Sequence, residues 1–240
     1  MLDFLKVSQS VNKKVIEIYP KFIIKKSSDL MIRGGDFYAI WDEANKLWSD
    51  DEEVAIKLID NELDLYFKEH KSEFDSPVRI MHMWDADSGM IDKWHKYVQR
   101  QQRDSFHPLD EKLIFSNVET KKEDYATRKL KYPLTPGSID AYNRLMDILY
   151  DPEERQKIEW AIGAIVSGDS KDIQKFLVLY GAAGTGKSTV LNIIQDLFDG
   201  YYSVFDAKAL GSSNNAFALE AFKNNPLVAI QHDGDLPRIE

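Results

Sequence analysis

The sequence contains no cysteine, which excludes disulfide bridges and cysteine-ligated zinc sites and is typical of a protein from a reducing compartment. It also lacks any apolar run close to the ~18 residues that a membrane-spanning helix needs. The first residues, MLDFLKVSQSVNKK, lack the basic start and apolar stretch of a signal peptide. We therefore expect a soluble protein with no membrane association, located in the cytoplasm.

Histidine is sparse as well, and its spacing does not place two metal ligands on a common helical face. The histidines are His70, His82, His95, His107 and His232. The net charge of -9 indicates no broadly basic surface, but it does not exclude a local one. With 43 % hydrophobic residues in 240, the chain can bury one good core or two smaller ones.

The first hundred residues predict a small sheet followed by helices. Short strands are indicated by VIEIY, FIIKK and DLMIRGGDFYAIW between residues 15 and 41, with a hairpin turn at Gly34-Gly35-Asp36. Ser49 and Glu52 have the spacing of a capping box, and the apolar periodicity behind them predicts a helix over residues 50–70. A second helix is predicted over residues 90–102.

Two segments combine basic and aromatic residues in a way that leaves two interpretations open. The second helix has a basic flank made of Lys93, Lys96, Arg100 and Arg103. Residues 112–137 predict a connector that contains Lys121, Lys122, Tyr125, Arg128, Lys129, Lys131 and Tyr132. The helix flank is either a solvated face or a stripe that contacts DNA. The connector is either a solvated linker or a segment that stacks on and neutralises single-stranded nucleic acid. Beyond the connector, helices are predicted over residues 138–150 and, with Asp151 as cap and Pro152 in the first turn, over residues 152–166.

The strongest chemical signal is GAAGTGKS, at residues 181–188. Residues 176–180 before it are continuously apolar, as expected of a buried parallel strand, and a helical pattern follows it. Glycines at 181, 184 and 186 allow the backbone N–H groups to turn toward phosphates at a helix N-terminus. This order predicts a P-loop in which Lys187 contacts the β- and γ-phosphates of a nucleoside triphosphate and Ser188 ligates Mg²⁺.

An acidic element should accompany a P-loop, because the loop alone holds the metal and the attacking water poorly. The segment PLVAIQHDGD supplies a short apolar strand over residues 227–231, followed by Asp233 and Asp235. We interpret it as a Walker B element, with Asp233 preferred as the metal-associated or water-orienting acid and Asp235 second. An acidic turn after a core strand is the alternative.

These motifs resemble the superfamily 3 helicases of viruses and phages, in particular the primase-helicase proteins. The resemblance is strongest in LIFSN (113–117), DYATRKLKYPL, LYDPEERQKIEWAIGAIVSGDSKDIQKFLVLYGAAGTGKST and PLVAIQHDGDL. It implies a poxvirus-type helical module before an AAA+-like ATPase core that uses ATP and Mg²⁺. It also implies a ring, usually a hexamer, that moves along single-stranded DNA. The Walker A residues that it implies are Gly181, Ala182, Ala183, Gly184, Thr185, Gly186, Lys187, Ser188 and Thr189.

The predicted fold class is α/β, with three segments. These are a mostly helical α+β module (1–111), a connector and helical module (112–150) and a partial P-loop NTPase core (151–240). Only three core strands are predicted, at 176–180, 201–205 and 227–231, which leaves the P-loop strand at an open edge. The resemblance implies further motifs after Walker B, whereas the sequence ends at Glu240. We expect further residues, or a second chain, to complete the core.

Two functional hypotheses follow. The first is the N-terminal part of an ATP-dependent DNA helicase of the primase-helicase type, acting in DNA replication, in which Lys187 stabilises charge on the γ-phosphoryl group and Asp233 or Asp235 orients water. The second is a nucleotide-binding or assembly module without its own turnover, completed in trans by a C-terminal partner chain. Enzymatic activity of this chain alone is left open.

Overall fold

The structure is a computed structural model that describes residues 2–23, 26–34, 37–100, 107–210, 219–223 and 225–232. It is mixed α/β with small sheets, which confirms the predicted class at this coarse level. The chain divides into two compact units: Met1–Pro108 with Thr120–Thr127, and Leu109–Glu119 with Arg128–Glu240. The three-segment division stays a prediction. No helix within the described ranges has the length and apolarity to cross a membrane.

The described part of the first unit contains two small sheets and two longer helices. Its first sheet has the order β1-β2-β6, formed by Leu5–Asn12, Val15–Phe22 and Val78–Ile80, with β1 antiparallel and β6 parallel to β2. Its second sheet is antiparallel in the order β3-β4-β5, formed by Leu30–Gly34, Phe37–Asp42 and Leu47–Ser49. Helix α1 spans Glu52–His70 and α2 spans Met90–Arg100.

The predicted hairpin is confirmed by the pairing of β3 with β4, although Gly35 and Asp36 lie outside the described residues. Strand β1 was not predicted, because Gln9 interrupts the apolar alternation of Leu5, Val7 and Val11. The two predicted helices are confirmed, and the second ends at Arg100 within the described range.

Helix α1 begins at an aspartate rather than at the predicted serine. Asp51 is the N-cap, and its carboxylate accepts a hydrogen bond from the N–H of Glu53 at 2.9 Å. Ser49 instead accepts one from the N–H of Asp51 at 3.2 Å. The predicted capping box of Ser49 and Glu52 is therefore wrong. An aspartate cap adds a negative charge at the positive end of the helix, which a serine cap does not.

Aromatic side chains form the centre of the first core. Trp94 of α2 is completely buried, and its ring lies edge-on to Tyr38 of β4 with the centroids 5.2 Å apart. Phe4, Phe22 and Tyr97 surround the same indole. Burial of these large rings accounts for much of the stability that this unit gains on folding.

In its described residues, the second unit contains helices and a pair of parallel strands. The helices are α3 (Asp140–Leu149), α4 (Pro152–Ser167), α5 (Ser170–Ile173), α6 (Lys187–Leu197) and α7 (Ala207–Leu210). Strand β7 (Tyr202–Val204) pairs with β8 (Val228–Ile230), which confirms the second and third predicted core strands. The buried core consists of Leu130, Met146, Ile158, Val190, Ile194, Phe198, Tyr201 and Ile230.

Helix α4 begins as the sequence predicts. Asp151 accepts hydrogen bonds from the N–H groups of Glu153 and Glu154 at 2.9 and 2.8 Å. The carboxylate of Glu154 accepts in return from the N–H of Asp151 at 3.4 Å, which completes a capping box. Pro152 occupies the first turn, where its missing N–H is not needed. Gly168, with φ of 81°, ends the helix in the left-handed conformation.

The strand predicted at residues 176–180 is absent from the described structure. This segment has no regular secondary structure, and Phe176 and Tyr180 are 88 % and 90 % exposed. A strand needs a neighbour to satisfy its backbone N–H and C=O groups, and β7 and β8 pair only with each other among the described residues. The prediction of a buried parallel strand here is therefore wrong for this chain, although its apolar sequence is the kind that such strands have.

Candidate nucleotide-binding loop

The loop of residues 181–186 leads directly into α6, whose first residue is Lys187. Gly184 and Gly186 both have φ of 80°, in the left-handed region that residues with a Cβ atom rarely adopt. Two glycines in this conformation turn the chain sharply into the helix. The glycine spacing predicted from the sequence therefore corresponds to a backbone requirement in the folded loop.

Gly186 also lies directly beneath a side chain of α3. A Cβ atom added at this position would be 2.7 Å from Cδ2 and 2.8 Å from Cδ1 of Leu149. Carbon atoms in ordinary contact are about 3.5–4.0 Å apart, so a Cβ atom at this position would force the Leu149 side chain to shift. Leu149 thus packs α3 against the base of the loop. The sequence motif did not indicate this contact, because Leu149 lies far from the loop in the sequence.

The ammonium group of Lys187 is folded back over the loop. It donates to the carbonyl oxygens of Gly181 at 2.9 Å and Ala182 at 2.6 Å, and to the hydroxyl oxygen of Thr185 at 3.2 Å. Thr185 in turn donates its hydroxyl proton to the carbonyl of Ala182 at 2.9 Å. All three donors of the lysine are used within the loop, so an anion bound there would exchange neutral acceptors for a stronger, charge-assisted bond.

The N-terminus of α6 differs electrostatically from those of α1 and α4. Those two helices begin with an aspartate cap and carry two glutamates in the first turn. Helix α6 has no acidic residue in its first turn, and Gly186 provides no side-chain cap. A helix N-terminus carries about half a positive charge, which carboxylates stabilise in α1 and α4. In α6 this position is open to an external anion.

The other predicted loop residues are accessible. Ala182, Ala183 and Gly184 are exposed, as are Ser188 and Thr189 in the first turn of α6. The next residue of the helix, Val190, is buried in the core of the second unit. The loop is therefore anchored on one side by the buried face of α6, while the hydroxyl-bearing Ser188 and Thr189 of the same helix are exposed.

The predicted Walker B strand is present as β8, but its acids are not described. Asp233 and Asp235 both lie outside the described residues. His232, the last described residue, lies 2.8 Å from the side-chain nitrogen of Gln195 in α6, measured from Nε2 to Nε2. Within the described ranges, no cluster of three or more His, Asp or Glu residues has the arrangement of a metal site. The assignment of Asp233 and Asp235 stays a prediction.

The connector cations considered as DNA contacts mostly have partners inside the protein. Lys122 forms an ion pair with Asp29, and Lys131 forms one with Asp199. Lys129 donates to the carbonyl of Val118 at 2.9 Å. These contacts favour a structural role for the connector. The basic flank of α2 is different, because Lys93, Lys96 and Arg100 are exposed, while Arg103 is outside the described residues.

Comparisons with protein-family models, with curated proteins and with solved structures give no match. The motif and the geometry of the loop are therefore the features of this chain that indicate a function.

Proposed function

We propose that this chain is the N-terminal part of an ATP-dependent DNA helicase of the phage or viral primase-helicase type, acting in DNA replication. The observation that carries the proposal is the loop at residues 181–186, which leads into an acid-free helix N-terminus with Lys187 folded over it. Backbone curvature, helix dipole and lysine charge all favour an anion at one position. A nucleoside triphosphate is the anion that this motif typically binds.

In this proposal the loop residues have distinct roles. The glycines let the backbone approach the phosphates, and Lys187 leaves the carbonyls of Gly181 and Ala182 to contact the β- and γ-phosphates. The Ser188 hydroxyl, exposed in the first turn of α6, would ligate the metal ion. Bound Mg²⁺ would neutralise phosphate charge. Asp233 or Asp235 would orient the attacking water. In the same proposal, the partner is single-stranded DNA, the assembly is a hexameric ring and the location is the cytoplasm.

A second candidate is a nucleotide-binding or assembly module that has no turnover until a second chain completes it. The observation that favours it is the exposed, unpaired segment at residues 176–180, directly before the loop. In the usual P-loop arrangement, a buried strand fixes the start of the loop. Without that support the loop can bind phosphate, but it holds the reacting groups less firmly than catalysis requires.

Binding of a fluorescent ATP analogue to the full chain, with Mg²⁺ present, tests the shared part of both candidates. Lys187→Ala should weaken binding by at least about tenfold, because it removes a charge-assisted contact worth about 1.5–3 kcal/mol. Lys175→Ala is the matched control, since Lys175 is an exposed lysine a few residues before the loop. Equal loss in both variants, or none in either, would contradict nucleotide binding at this loop.

Phosphate release separates the two candidates. Hydrolysis by the chain alone, stimulated by single-stranded DNA and abolished by Lys187→Ala, supports the helicase proposal directly. Tight binding without hydrolysis, with turnover restored by a C-terminal partner, supports the second candidate for this chain.

A further inference from the structure

One face of the β1-β2-β6 sheet carries unusual positive charge for an acidic protein. Lys6 of β1 and Lys21 of β2 are directly opposite each other in the antiparallel register, and both are exposed. Side chains opposite each other in a sheet have Cβ atoms about 5 Å apart, where like charges repel. Neither lysine has an ion pair with a described residue. The sheet therefore tolerates an unfavourable pair where a carboxylate partner would stabilise it.

The turn that joins β1 to β2 adds two further lysines. Lys13 and Lys14 form the two-residue loop, with φ of 47° and 68°. Positive φ at both positions is typical of a type I′ turn, for which Asn-Gly is the preferred sequence and in which side chains such as lysine are strained. Both lysines are exposed and have no ion-pair partner in the described structure. The hairpin thus has cations at both ends.

A fifth lysine reaches the same sheet face from α2. The ammonium of Lys93 lies 5.9 Å from the ring centroid of Tyr19, which is two residues before Lys21 on the same face of β2. Acids also occur on or beside this face. Glu17, opposite Ser10 on the lysine face, accepts a hydrogen bond from the neutral amide of Asn12 at 3.0 Å and keeps its charge, whereas Asp85 forms an ion pair with Arg79 at 3.4 Å. The carboxylate of Glu17 can neutralise at most one of the five lysines, so the face keeps a net positive charge.

The row between the two basic ends is polar. Ser8, Ser10 and Asn12 of β1 share the lysine face, because they follow Lys6 at every second residue and alternate with the side that carries the buried Leu5 and Val7. An anionic membrane surface binds most tightly where apolar side chains accompany the cations, and this row offers hydroxyl and amide groups instead. Such groups hydrogen-bond phosphate oxygens and base edges.

From these features we infer that the exposed face of the β1-β2 hairpin, with Lys6, Lys13, Lys14, Lys21 and Lys93, binds single-stranded nucleic acid along its phosphate backbone. Eight-residue strands at a rise of about 3.4 Å per residue span roughly 25 Å, the scale of a short single-stranded site. A free β-ribbon can enter the major groove of duplex DNA. This hairpin is not free, because β6 pairs with β2, and Ile18 of the opposite face packs on Leu63 of α1.

The inference deepens the proposed function by naming a surface for its nucleic acid, but its test needs neither ATP nor the P-loop. Two double variants of the full chain remove charge while keeping the strands: Lys6→Gln with Lys21→Gln, and Lys13→Asn with Lys14→Gly. The second introduces the preferred turn sequence, so its melting temperature should not fall and unfolding cannot explain lost binding. Lys57→Gln with Lys68→Gln is the matched control, on exposed lysines of α1.

Fluorescence anisotropy with a labelled oligothymidylate of about 15 nucleotides, measured over a range of salt, is the readout. Each hairpin variant should bind about tenfold more weakly at low salt, and the slope of log K against log salt should fall by about 1.4, since each phosphate contact contributes about 0.7 for single strands. The control variant should keep the original slope within about 0.7.

Three outcomes would overturn the inference: equal slopes for hairpin and control variants, tighter binding of a duplex of the same length, or equally lysine-dependent binding of phosphatidylserine vesicles. The Lys187→Ala variant separates this test from the function test. It should bind the ATP analogue at least about tenfold more weakly and keep its affinity for oligothymidylate, so failure at one site does not imply failure at the other.

Discussion

Arg128 connects three separate segments of the second unit, and its replacement is the most demanding test of the fold. Its guanidinium donates to the carbonyl of Gly200 at 2.6 Å and to that of Asn225 at 3.3 Å. Its Nε lies 3.2 Å from the carboxylate of Asp110, which is only 5 % exposed. The same guanidinium is 4.7 Å from the ring centroid of Tyr201. We expect Arg128→Gln to destabilise the second unit strongly.

The expected magnitude follows from the burial of Asp110. Removing one partner of a buried ion pair costs about 3–5 kcal/mol, because the remaining charge stays away from water. The glutamine amide can still donate a hydrogen bond to one of the two carbonyl oxygens, which recovers about 1 kcal/mol. The net expectation is a loss of about 3 kcal/mol in the free energy of unfolding. With a urea m-value of about 2 kcal/mol/M, the midpoint should fall by about 1.5 M.

Urea unfolding followed by hydrogen exchange on peptides from α6 and β7 measures this unit separately from the first. Lys131→Gln is the matched control, because the Lys131 side chain is 83 % exposed and its pair with Asp199 should contribute less than about 1 kcal/mol. A loss below about 1 kcal/mol for Arg128→Gln, or the same loss in both variants, would show that the Asp110 contact is not the stabilising interaction inferred here.

Three further predictions address the loop, a helix cap and pH. Gly186→Ala should weaken binding of the ATP analogue at least about tenfold, because the alanine Cβ would meet Leu149 and residue 186 has a φ of 80°. Unchanged affinity would show that glycine is not required at this position. Asp151→Ala should cost about 1 kcal/mol in urea unfolding, and no loss would contradict the capping role. Burial raises the pKa of Tyr201 to about 12. An unfolded tyrosine has a pKa near 10. The contribution of Tyr201 to the free energy of unfolding should therefore be complete below about pH 10 and disappear as the pH rises through about 12. Tyr201→Phe should flatten this decline in the free energy of unfolding.

Helices were the elements that the sequence predicted best, because their signals are local. The cap at Asp151 and the proline after it are neighbours in the sequence. The loop into α6 was predictable for the same reason. Its glycines and lysine are neighbours in the sequence, and their backbone conformation depends little on distant residues.

The strand at residues 176–180 could not be predicted in the same way. Its apolar composition is correct for a buried strand, but strand formation depends on a partner, and no local pattern shows whether one is present. The Ser49 cap failed for a smaller reason, since Asp51 offered a competing acceptor within the same turn. The contact of Leu149 with Gly186 joins residues far apart in the chain, so it left no local signal.

The connector was predicted as a linker because its composition is charged and contains prolines, yet part of it belongs to the first unit. Residues 120–127 pack there: the indole of Trp48 donates to the carbonyl of Lys122 at 2.9 Å, and its backbone N–H donates to Ala126 at 2.8 Å. Tyr125 stacks on His107 with ring centroids 3.8 Å apart. Backbone acceptors give no compositional signal, so these contacts were not visible in the sequence.

The path of the chain through its two units has a practical consequence for anyone who dissects the protein. Because residues 109–119 belong to the second unit and 120–127 to the first, no single cut yields two complete halves. A fragment that stops at residue 108 loses the backbone partners of Trp48, and one that starts at residue 128 loses Asp110, the partner of Arg128. The two units are therefore interleaved in the gene, and exchange of either between proteins by simple recombination would leave both damaged.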